Sequence, residues 1–176
     1  MHKFRVLAPF VALLLGVTLS LPSVAVAQRQ KISNDMRKCS SSASGPAVLV
    51  EVVGFKNANG RVRVQSYSAT KAKWLKKGQW INRIESPVSL SGGKMRFCMP
   101  VPTSGSYGIA VRHDADGNGK SGWSDGGGFS RNPDISLTNL KPSVKKTSIA
   151  INGGVHKITV VLNYRQGLSI EPWSKS

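Results

Sequence analysis

The sequence predicts an all-β fold, a single antiparallel β-sandwich of about seven short strands. Apolar and polar residues alternate along several segments, which is typical of half-buried strands. Turns rich in glycine and asparagine separate these segments, and no segment shows the 3.6-residue periodicity of a long amphipathic helix. Strands without helices bury their apolar residues between two facing sheets, so a two-layer sandwich is the expected architecture.

The first two strands are predicted to form a hairpin around Asn59-Gly60, a pair that favours a tight turn. Apolar residues alternate with polar ones on both sides of this turn, at Val48, Val50 and Val52 before it and at Val62 and Val64 after it. This is the period-two pattern of strands with one buried face.

Later segments continue the pattern. Residues 95–99 and 107–113 alternate in the same way, and residues 70–77 are predicted to form one or two helical turns. Residues 147–151 and 155–164 are predicted to form a closing hairpin, with an Asn-Gly-Gly turn between them.

The first 27 residues are predicted to be a cleaved signal peptide. Lys3 and Arg5 precede an apolar run over residues 6–21, and a small-residue Ala-Val-Ala site ends at Ala27. A retained membrane anchor is the alternative, which the proline and glycine within the run disfavour. Cleavage implies export to the periplasm or the medium, and no later segment is apolar enough to span a bilayer, so an integral membrane protein is not expected.

The rest of the chain divides into three parts by composition. Residues 28–46 are predicted to be a flexible polar lead, residues 47–164 the sandwich domain, and residues 165–176 a C-terminal tail. Cys39 and Cys98 are expected to form a disulfide in an oxidising compartment. Two unpaired thiols are the alternative, because the sequence does not show whether the two Cα atoms are close enough to bridge.

The exported chain is strongly basic. Without Lys3 and Arg5, 23 basic residues face 8 acidic ones, a formal charge of +15. Six basic residues occupy outward positions of the predicted strands and are candidates for anion binding: Arg61, Arg63, Lys94, Arg96, Arg112 and Lys157. Such a face would attract a polyanionic envelope component or nucleic acid. The alternative is ordinary solubility charge, which the lack of interleaved aromatic residues favours.

One loop concentrates the scarce acidic residues in a pattern typical of calcium-binding loops. Acidic or amide side chains alternate at its start, a glycine-rich turn follows, and a further acid ends it. The candidate ligands are Asp114, Asp116, Asn118, the backbone carbonyl of Lys120, and Asp125. Because carboxylates repel one another, a basic chain has little reason to place three of its eight acids together unless a cation lies among them.

Calcium fits this loop better than magnesium, which demands stricter octahedral geometry. Strand and loop flank the site in place of helices, and Asp125 stands where glutamate is usual, so an affinity of about 10⁻⁴ to 10⁻³ M is expected. The alternative is a turn whose Asp and Asn side chains bond to their own backbone. We expect a structural rather than a catalytic ion, and no other cofactor.

Several motifs resemble those of one known family. They are a strand ending in His113-Asp114, the run Asp116-Gly117-Asn118-Gly119-Lys120, then Gly128-Phe129-Ser130, and a final Leu162-Asn163-Tyr164. Over about residues 47–164 the chain resembles the domain of unknown function 2141 family of exported bacterial proteins. The resemblance implies a transthyretin-like, immunoglobulin-like two-sheet sandwich, and it implies no established activity, substrate or partner. The chain departs from the family at Gly122, where a further acid is usual, and in a shorter stretch before Gly128.

Three functions remain open at this stage. The favoured one is a non-catalytic module whose loop is held by calcium, and the second is a polyanion binder that uses the basic face. The third is a hydrolase, because Tyr164-Arg165-Gln166-Gly167 is similar to the C-terminal Tyr-Arg-Gly-Ser of transthyretin-like hydroxyisourate hydrolases. In that case His113, His156 and Arg165 would supply acid–base groups, although Gln166 interrupts the motif.

Overall fold

The computed structural model describes residues 29–173, which form eleven strands and two single-turn helices. One helix is a 3₁₀ turn at Met36–Cys39, and the other, α1, spans Val144–Thr147. The strands are β1 Gln30–Lys31, β2 Ala47–Val53, β3 Arg61–Ser68, β4 Trp80–Pro87, β5 Met95–Pro100, β6 Gly105–Asp114, β7 Gly126–Phe129, β8 Ile149–Ile151, β9 Val155–Val161, β10 Asn163–Gln166 and β11 Ser169–Pro172. The prediction of an all-β chain is confirmed for this part of the protein.

The strands form two sheets. The larger sheet has the order β1-β4-β3-β6-β7-β10-β11, and β8 also pairs with the beginning of β6. The smaller sheet has the order β5-β2-β9. The inward residues of both sheets join in one apolar cluster, which includes Val50, Val64, Phe97, Ile109 and Val160. Each fully buried residue of this kind contributes roughly 1.5–3 kcal/mol, so this shared cluster is the main source of stability.

Strand number and direction differ from the prediction. The described residues contain eleven strands rather than about seven, and the sheets are not purely antiparallel, since β2 runs parallel to β9 and β1 runs parallel to β4. A parallel pair cannot be joined by a tight turn and needs a long connection. Strands β3 to β8 lie between β2 and β9 in the sequence. A pattern within one short segment does not indicate which distant strand it pairs with.

Neither predicted hairpin forms. β2 belongs to the smaller sheet and β3 to the larger one, so the loop that contains Asn59 and Gly60 carries the chain between sheets. β8 pairs with β6 while β9 pairs with β2, so the turn at Gly153 also connects the two sheets. Gly60 and Gly153 do adopt positive φ, at 71° and 106°. The turn chemistry was therefore correct, but it does not determine which strand becomes the partner.

The predicted flexible lead and tail are largely part of the fold. Within the lead, β1 pairs with β4, and Cys39 forms a disulfide with Cys98, with Cα atoms 5.6 Å apart. The disulfide prediction is therefore confirmed. The tail contains the end of β10 and all of β11, and these two strands form a hairpin that extends the larger sheet. The predicted signal peptide, residues 1–27, lies outside the described residues. Among residues 29–173, no helix has the length and apolar character needed to cross a bilayer.

A second, smaller apolar cluster lies on the outer face of the larger sheet. It contains Tyr67, Trp74 and Trp80. Trp74 lies directly on Gly108, where a Cβ atom would be 2.4 Å from the indole ring. Residues 70–79 form consecutive turns rather than the predicted helical turns, and Leu75 interrupts them with φ 53°. This cluster covers one end of the face on which several predicted basic residues lie.

Candidate functional site

The acidic loop connects β6 to β7 at one end of the larger sheet. Asp114 ends β6, and Asp125 immediately precedes β7, so the two strands fix both ends of the loop. Carboxylate oxygens of Asp114, Asp116 and Asp125 all lie within 4.8 Å of one another. The structure therefore brings together three of the residues that the sequence analysis named as candidate ligands.

Backbone and side-chain donors orient these carboxylates. Asp125 accepts the N–H groups of Ala115 and Gly122, at 3.2 and 3.1 Å. Asp116 accepts the N–H of Asn118 at 3.1 Å and the hydroxyl of Ser124 at 3.1 Å. The backbone N–H of Asn118 is the main reason that the pKa of Asp116 lies below its ordinary value. This contact favours the charged form of Asp116.

Asp114 is the most deeply placed of the three acids. It is 3% exposed, and its Oδ2 accepts the N–H of Gly119 at 2.9 Å. Its Oδ1 is buried and has no hydrogen-bond partner. A buried acceptor without a partner costs about 1–3 kcal/mol, and more when it carries charge. This oxygen is therefore the strongest indication that a further group binds in the loop.

The side chain of Asn118, a predicted ligand, is engaged in hydrogen bonds within the loop. The side-chain oxygen of Asn118 accepts the backbone N–H of Lys120 at 2.7 Å, and its amide nitrogen donates to Asp116 at 2.7 Å. The amide thus presents its nitrogen, not its oxygen, to Asp116 in this conformation. These bonds are the backbone-capping contacts that such turns favour.

Arg112 lies against the same loop. Its Nη2 donates to Oδ2 of Asp114 and to the carbonyl of Gly119, both at 3.2 Å, and its Nη1 donates to Ser121 at 3.1 Å. Three carboxylates and one guanidinium leave a formal local charge of −2. Arg112, predicted as an anion-binding residue, is here ion-paired with a carboxylate of the loop.

A buried pair, His113 and Tyr164, supports both ends of the loop. Nε2 of His113 lies 2.8 Å from the carbonyl of Asn59, and Nδ1 lies 2.7 Å from the Tyr164 hydroxyl. Because a carbonyl only accepts, Nε2 donates to it and Nδ1 accepts the hydroxyl proton. The ring of Tyr164 packs on Gly126, where a Cβ would be 2.4 Å away. The pair thereby connects the residue before Asp114 with the residue after Asp125.

Tyr164 has a role that sequence reasoning missed. It is 1% exposed, and burial raises its pKa to about 12. The signal was present, since both His113 and Tyr164 stand at inward positions of their strands. A buried histidine requires partners for both ring nitrogens, and a tyrosine hydroxyl is among the few side-chain groups that can provide one from the core.

The residues proposed for a hydrolase are not brought together. His156 is exposed on the smaller sheet, where it is the register partner of Val48, near the start of β2. His113 packs against Phe55, just beyond the end of β2. Arg165 stacks on the ring of Trp123 at 3.8 Å. The two histidines thus lie at opposite ends of β2.

Trp123 marks a small groove beside the acidic loop. It is 70% exposed, and the groove next to it has a volume of about 140 Å³ and is bounded at one edge by Asp125. The rest of the lining is mostly apolar, with Phe129, Ile135, Leu137, Leu140 and Ile170. The exposure of Trp123 could not be predicted, because no pattern in the loop sequence distinguishes an exposed tryptophan from a buried one.

The six predicted anion-binding residues divide between two opposite faces. Arg61, Arg63 and Arg112 are on the larger sheet, whereas Lys94, Arg96 and Lys157 are on or beside the smaller one. Most of them are ion-paired: Glu85 pairs with Arg63, and Glu51 pairs with Lys94 at 3.2 Å and Arg96 at 3.0 Å. The six predicted residues therefore do not form one basic face. They lie on two faces, because the outer faces of the two sheets point in opposite directions.

Comparison with known proteins identifies one family. Residues 50–159, more than half of the chain, match the family described as "Uncharacterized protein conserved in bacteria (DUF2141)". No curated protein and no solved structure matches the chain. The matched region runs from β2 to β9 and contains the whole acidic loop. The chain therefore belongs to this family of bacterial proteins, the domain of unknown function 2141 family.

Proposed function

We propose that this protein is an exported, non-catalytic module whose 114–125 loop is stabilised by a calcium ion. The observation that carries the proposal is the unpartnered Oδ1 of Asp114, buried beside the carboxylates of Asp116 and Asp125. Carboxylate oxygens are the ligands that calcium prefers, and calcium accepts irregular arrangements of six to eight of them. The three acids would supply the core of this set, and backbone carbonyls and water would complete it.

The electrostatics of the loop support a divalent cation. The three carboxylates lie within 4.8 Å of one another and therefore repel each other. Arg112 offsets only part of this repulsion, because its ion pair reaches Asp114 alone. A formal charge of −2 remains, which a calcium ion would neutralise.

The fold supports a structural rather than a catalytic role for this site. Both ring nitrogens of His113 are engaged with Asn59 and Tyr164, His156 lies at the other end of β2, and the Arg165 guanidinium stacks on Trp123. We further propose that the two sheets form a transthyretin-like sandwich, an arrangement that the shared core supports. In this arrangement the loop projects from one end of the sandwich.

Export is supported by the disulfide, which persists in an oxidising compartment. The N-terminal signal pattern supports it independently. Mass spectrometry of the protein recovered from the periplasm or medium would then give Gln28 as its first residue. Recovery of the full-length chain from the cytoplasm would contradict export.

Calcium titration during thermal unfolding tests the proposed site. For a dissociation constant near 1 mM, 10 mM calcium would stabilise the protein by about 1.4 kcal/mol, which raises Tm by about 3–6 °C. Asp116→Asn should abolish the rise, since Asp116 is exposed and its replacement leaves the core intact. Asp134→Asn is the matched control, because it removes the same charge from an exposed position outside the loop. An unchanged Tm of the wild type at 10 mM calcium would contradict the proposal.

A further inference from the structure

Three arginines lie beside one another on the outer face of the larger sheet. Arg63 on β3 is the register partner of Arg112 on β6, and Arg83 on β4 is the register partner of Gln65, two residues further along β3. Residues two apart on a strand point to the same face, so Arg63, Arg83 and Arg112 form one group, the arginine cluster. Arg83 was not among the residues predicted from the sequence, because no strand was predicted where β4 lies.

The cluster is not fully neutralised by carboxylates. Glu85 pairs with Arg63, and Asp114 pairs with Arg112. Arg83 makes no ion pair within residues 29–173, and its guanidinium lies 4.4 Å from the ring of Trp80. Three positive charges therefore face two negative ones. Like charges opposite each other in an antiparallel pair destabilise a sheet, so the remaining positive charge is a cost that a bound anion would remove.

Partial burial increases this cost. The side chains of Arg112 and Arg63 are 17% and 24% exposed. Nε of Arg112 is buried without a hydrogen-bond partner. Burial, and next the nearby Arg63, lower the pKa of Arg83 from its ordinary value. Guanidinium groups stay protonated in proteins, so the cluster keeps both its charge and unused hydrogen-bonding capacity.

We propose that the arginine cluster binds a tetrahedral oxyanion, the phosphate or sulfate group of a ligand, and that calcium in the 114–125 loop strengthens this binding. Guanidinium groups are planar forks of donors that match two oxygens of such a group. Nε and Nη2 of Arg83 donate to the side-chain oxygen of Gln65, which also accepts the hydroxyl of Tyr67, so these two residues orient the Arg83 guanidinium. The calcium-dependent part rests on the proposed function, whereas the anion site itself does not.

Asp114 is the physical connection between the two sites. Its Oδ2 accepts from Arg112 at 3.2 Å, and the same carboxylate belongs to the three-acid group. A calcium ion there would take up the negative charge that now neutralises Arg112. Arg112 would then be available to an anion, and the ion's own charge would add to the attraction. Because such coupling is reciprocal, a bound oxyanion would raise the calcium affinity by the same factor.

Sulfate binding with a charge-matched pair of variants tests the anion site. Sulfate is titrated at constant ionic strength, with chloride as the balancing anion, and binding is followed by NMR or calorimetry. Arg83→Gln should lower the sulfate affinity by about tenfold, the loss of one charge-assisted contact. Lys157→Gln is the control, since Lys157 is exposed on the smaller sheet and makes no ion pair in the described part of the chain. Equal losses in the two variants would show a general charge effect and overturn the site.

The calcium dependence is tested by repeating the titration with 10 mM calcium. We expect the sulfate affinity of the wild type to rise by at least about fivefold, the lower end of ordinary couplings, and that of Asp116→Asn to stay constant. A calcium-induced rise in Tm without any change in sulfate affinity would overturn the coupling and leave the calcium site standing. If calcium changes neither quantity, the proposed function fails, whereas the comparison of Arg83→Gln with Lys157→Gln still decides the anion site.

Vesicles distinguish a lipid headgroup from a small soluble anion as the source of the oxyanion. Sedimentation with phosphatidylglycerol vesicles, against phosphatidylcholine vesicles, measures headgroup binding. A weaker sedimentation of Arg83→Gln than of Lys157→Gln would assign the site to a headgroup phosphate. Equal sedimentation of the two variants, combined with the loss of sulfate binding in Arg83→Gln, would assign it to a small soluble anion.

Discussion

Asn34 and Asn132 cap the two opposite edges of the smaller sheet in the same way. Each side-chain amide donates one hydrogen bond to the edge strand and accepts one from it. The amide of Asn34 donates to the carbonyl of Arg96 and accepts the N–H of Cys98 on β5. The amide of Asn132 donates to the carbonyl of Thr159 and accepts the N–H of Val161 on β9. Each side chain thus replaces one peptide group of a missing neighbouring strand. Unpaired strand edges promote association between chains, and these contacts reduce that exposure.

Asn132→Asp tests this edge contact with almost no change in shape. The carboxylate keeps the bond from the N–H of Val161 but cannot donate to Thr159. One carboxylate oxygen then faces the carbonyl oxygen of Thr159, and both are acceptors. We expect a loss of about 0.5–1.5 kcal/mol in the free energy of unfolding, the value of an ordinary hydrogen bond at an exposed position, and increased self-association. Chemical denaturation and light scattering measure the two effects. Asn152→Asp, at an exposed turn, is the control. Equal stabilities of the two variants would contradict a role for the Asn132 amide.

Gly60 permits the close approach of the loop between β2 and β3 to the end of β6. It has φ 71°, and a Cβ atom there would lie 1.9 Å from the carbonyl oxygen of Asp114. Gly92 has φ 58° and open space around it. We expect Gly92→Ala to cost about 1 kcal/mol from backbone strain alone.

Gly60→Ala should cost at least about 2 kcal/mol more than Gly92→Ala, because the backbone of Asp114 must move. It should also weaken the calcium-induced rise in Tm, since that movement displaces a proposed ligand. Thermal unfolding of both variants with and without calcium measures these effects. A Gly60→Ala protein as stable as Gly92→Ala would show that the loop accommodates the methyl group without strain.

Tyr164 makes the stability of the folded protein depend on pH in the alkaline range. Burial raises its pKa from 10.0 to about 12, so the folded protein holds this proton more tightly than the unfolded chain does. The resulting stabilisation is fully present below about pH 10 and is lost as the pH rises to about 12. It amounts to at most about 3 kcal/mol.

Tyr164→Phe removes the titrating hydroxyl and its bond to His113. We expect it to cost about 1–3 kcal/mol at neutral pH, because the buried Nδ1 of His113 loses its partner, but to lose less stability than the wild type between about pH 10 and 12. Urea unfolding midpoints across this range measure the difference. Tyr67→Phe is the comparison, because burial also raises the pKa of Tyr67. Parallel pH profiles for the wild type and Tyr164→Phe would show that the hydroxyl does not contribute.

The disulfide between Cys39 and Cys98 fastens the N-terminal segment to β5. The two residues are 59 positions apart, and a crosslink of that length stabilises by about 4 kcal/mol in the chain-entropy model. Reduction of the wild type should therefore lower the unfolding midpoint in urea by the equivalent of about 2–4 kcal/mol. The double variant Cys39→Ser, Cys98→Ser should show the lower midpoint and no response to reductant. A wild type that unfolds identically with and without reductant would contradict this role.

The candidate site could be found from the sequence because its chemistry is local. Asp114 and Asp116 are two residues apart, and Asp125 follows after one tight loop, so one short segment contains the acids that the structure brings together. The engagement of Asp114 by Arg112 is also local. The support from Tyr164 was missed, because its partner His113 is 51 residues away in the chain.

The alternation of apolar residues along each segment determined which side chains are buried, since successive residues of any strand point to opposite faces. Tertiary structure alone decided which strands pair. β2 pairs with β5 and β9 and not with β3, although β3 is the next strand in the chain. Strand pairing depends on hydrogen bonds and packing between segments that are far apart in the chain, such as Ala47 and Val155, and no local pattern specifies them. For the same reason, only the folded chain shows that three arginines from three strands form one group.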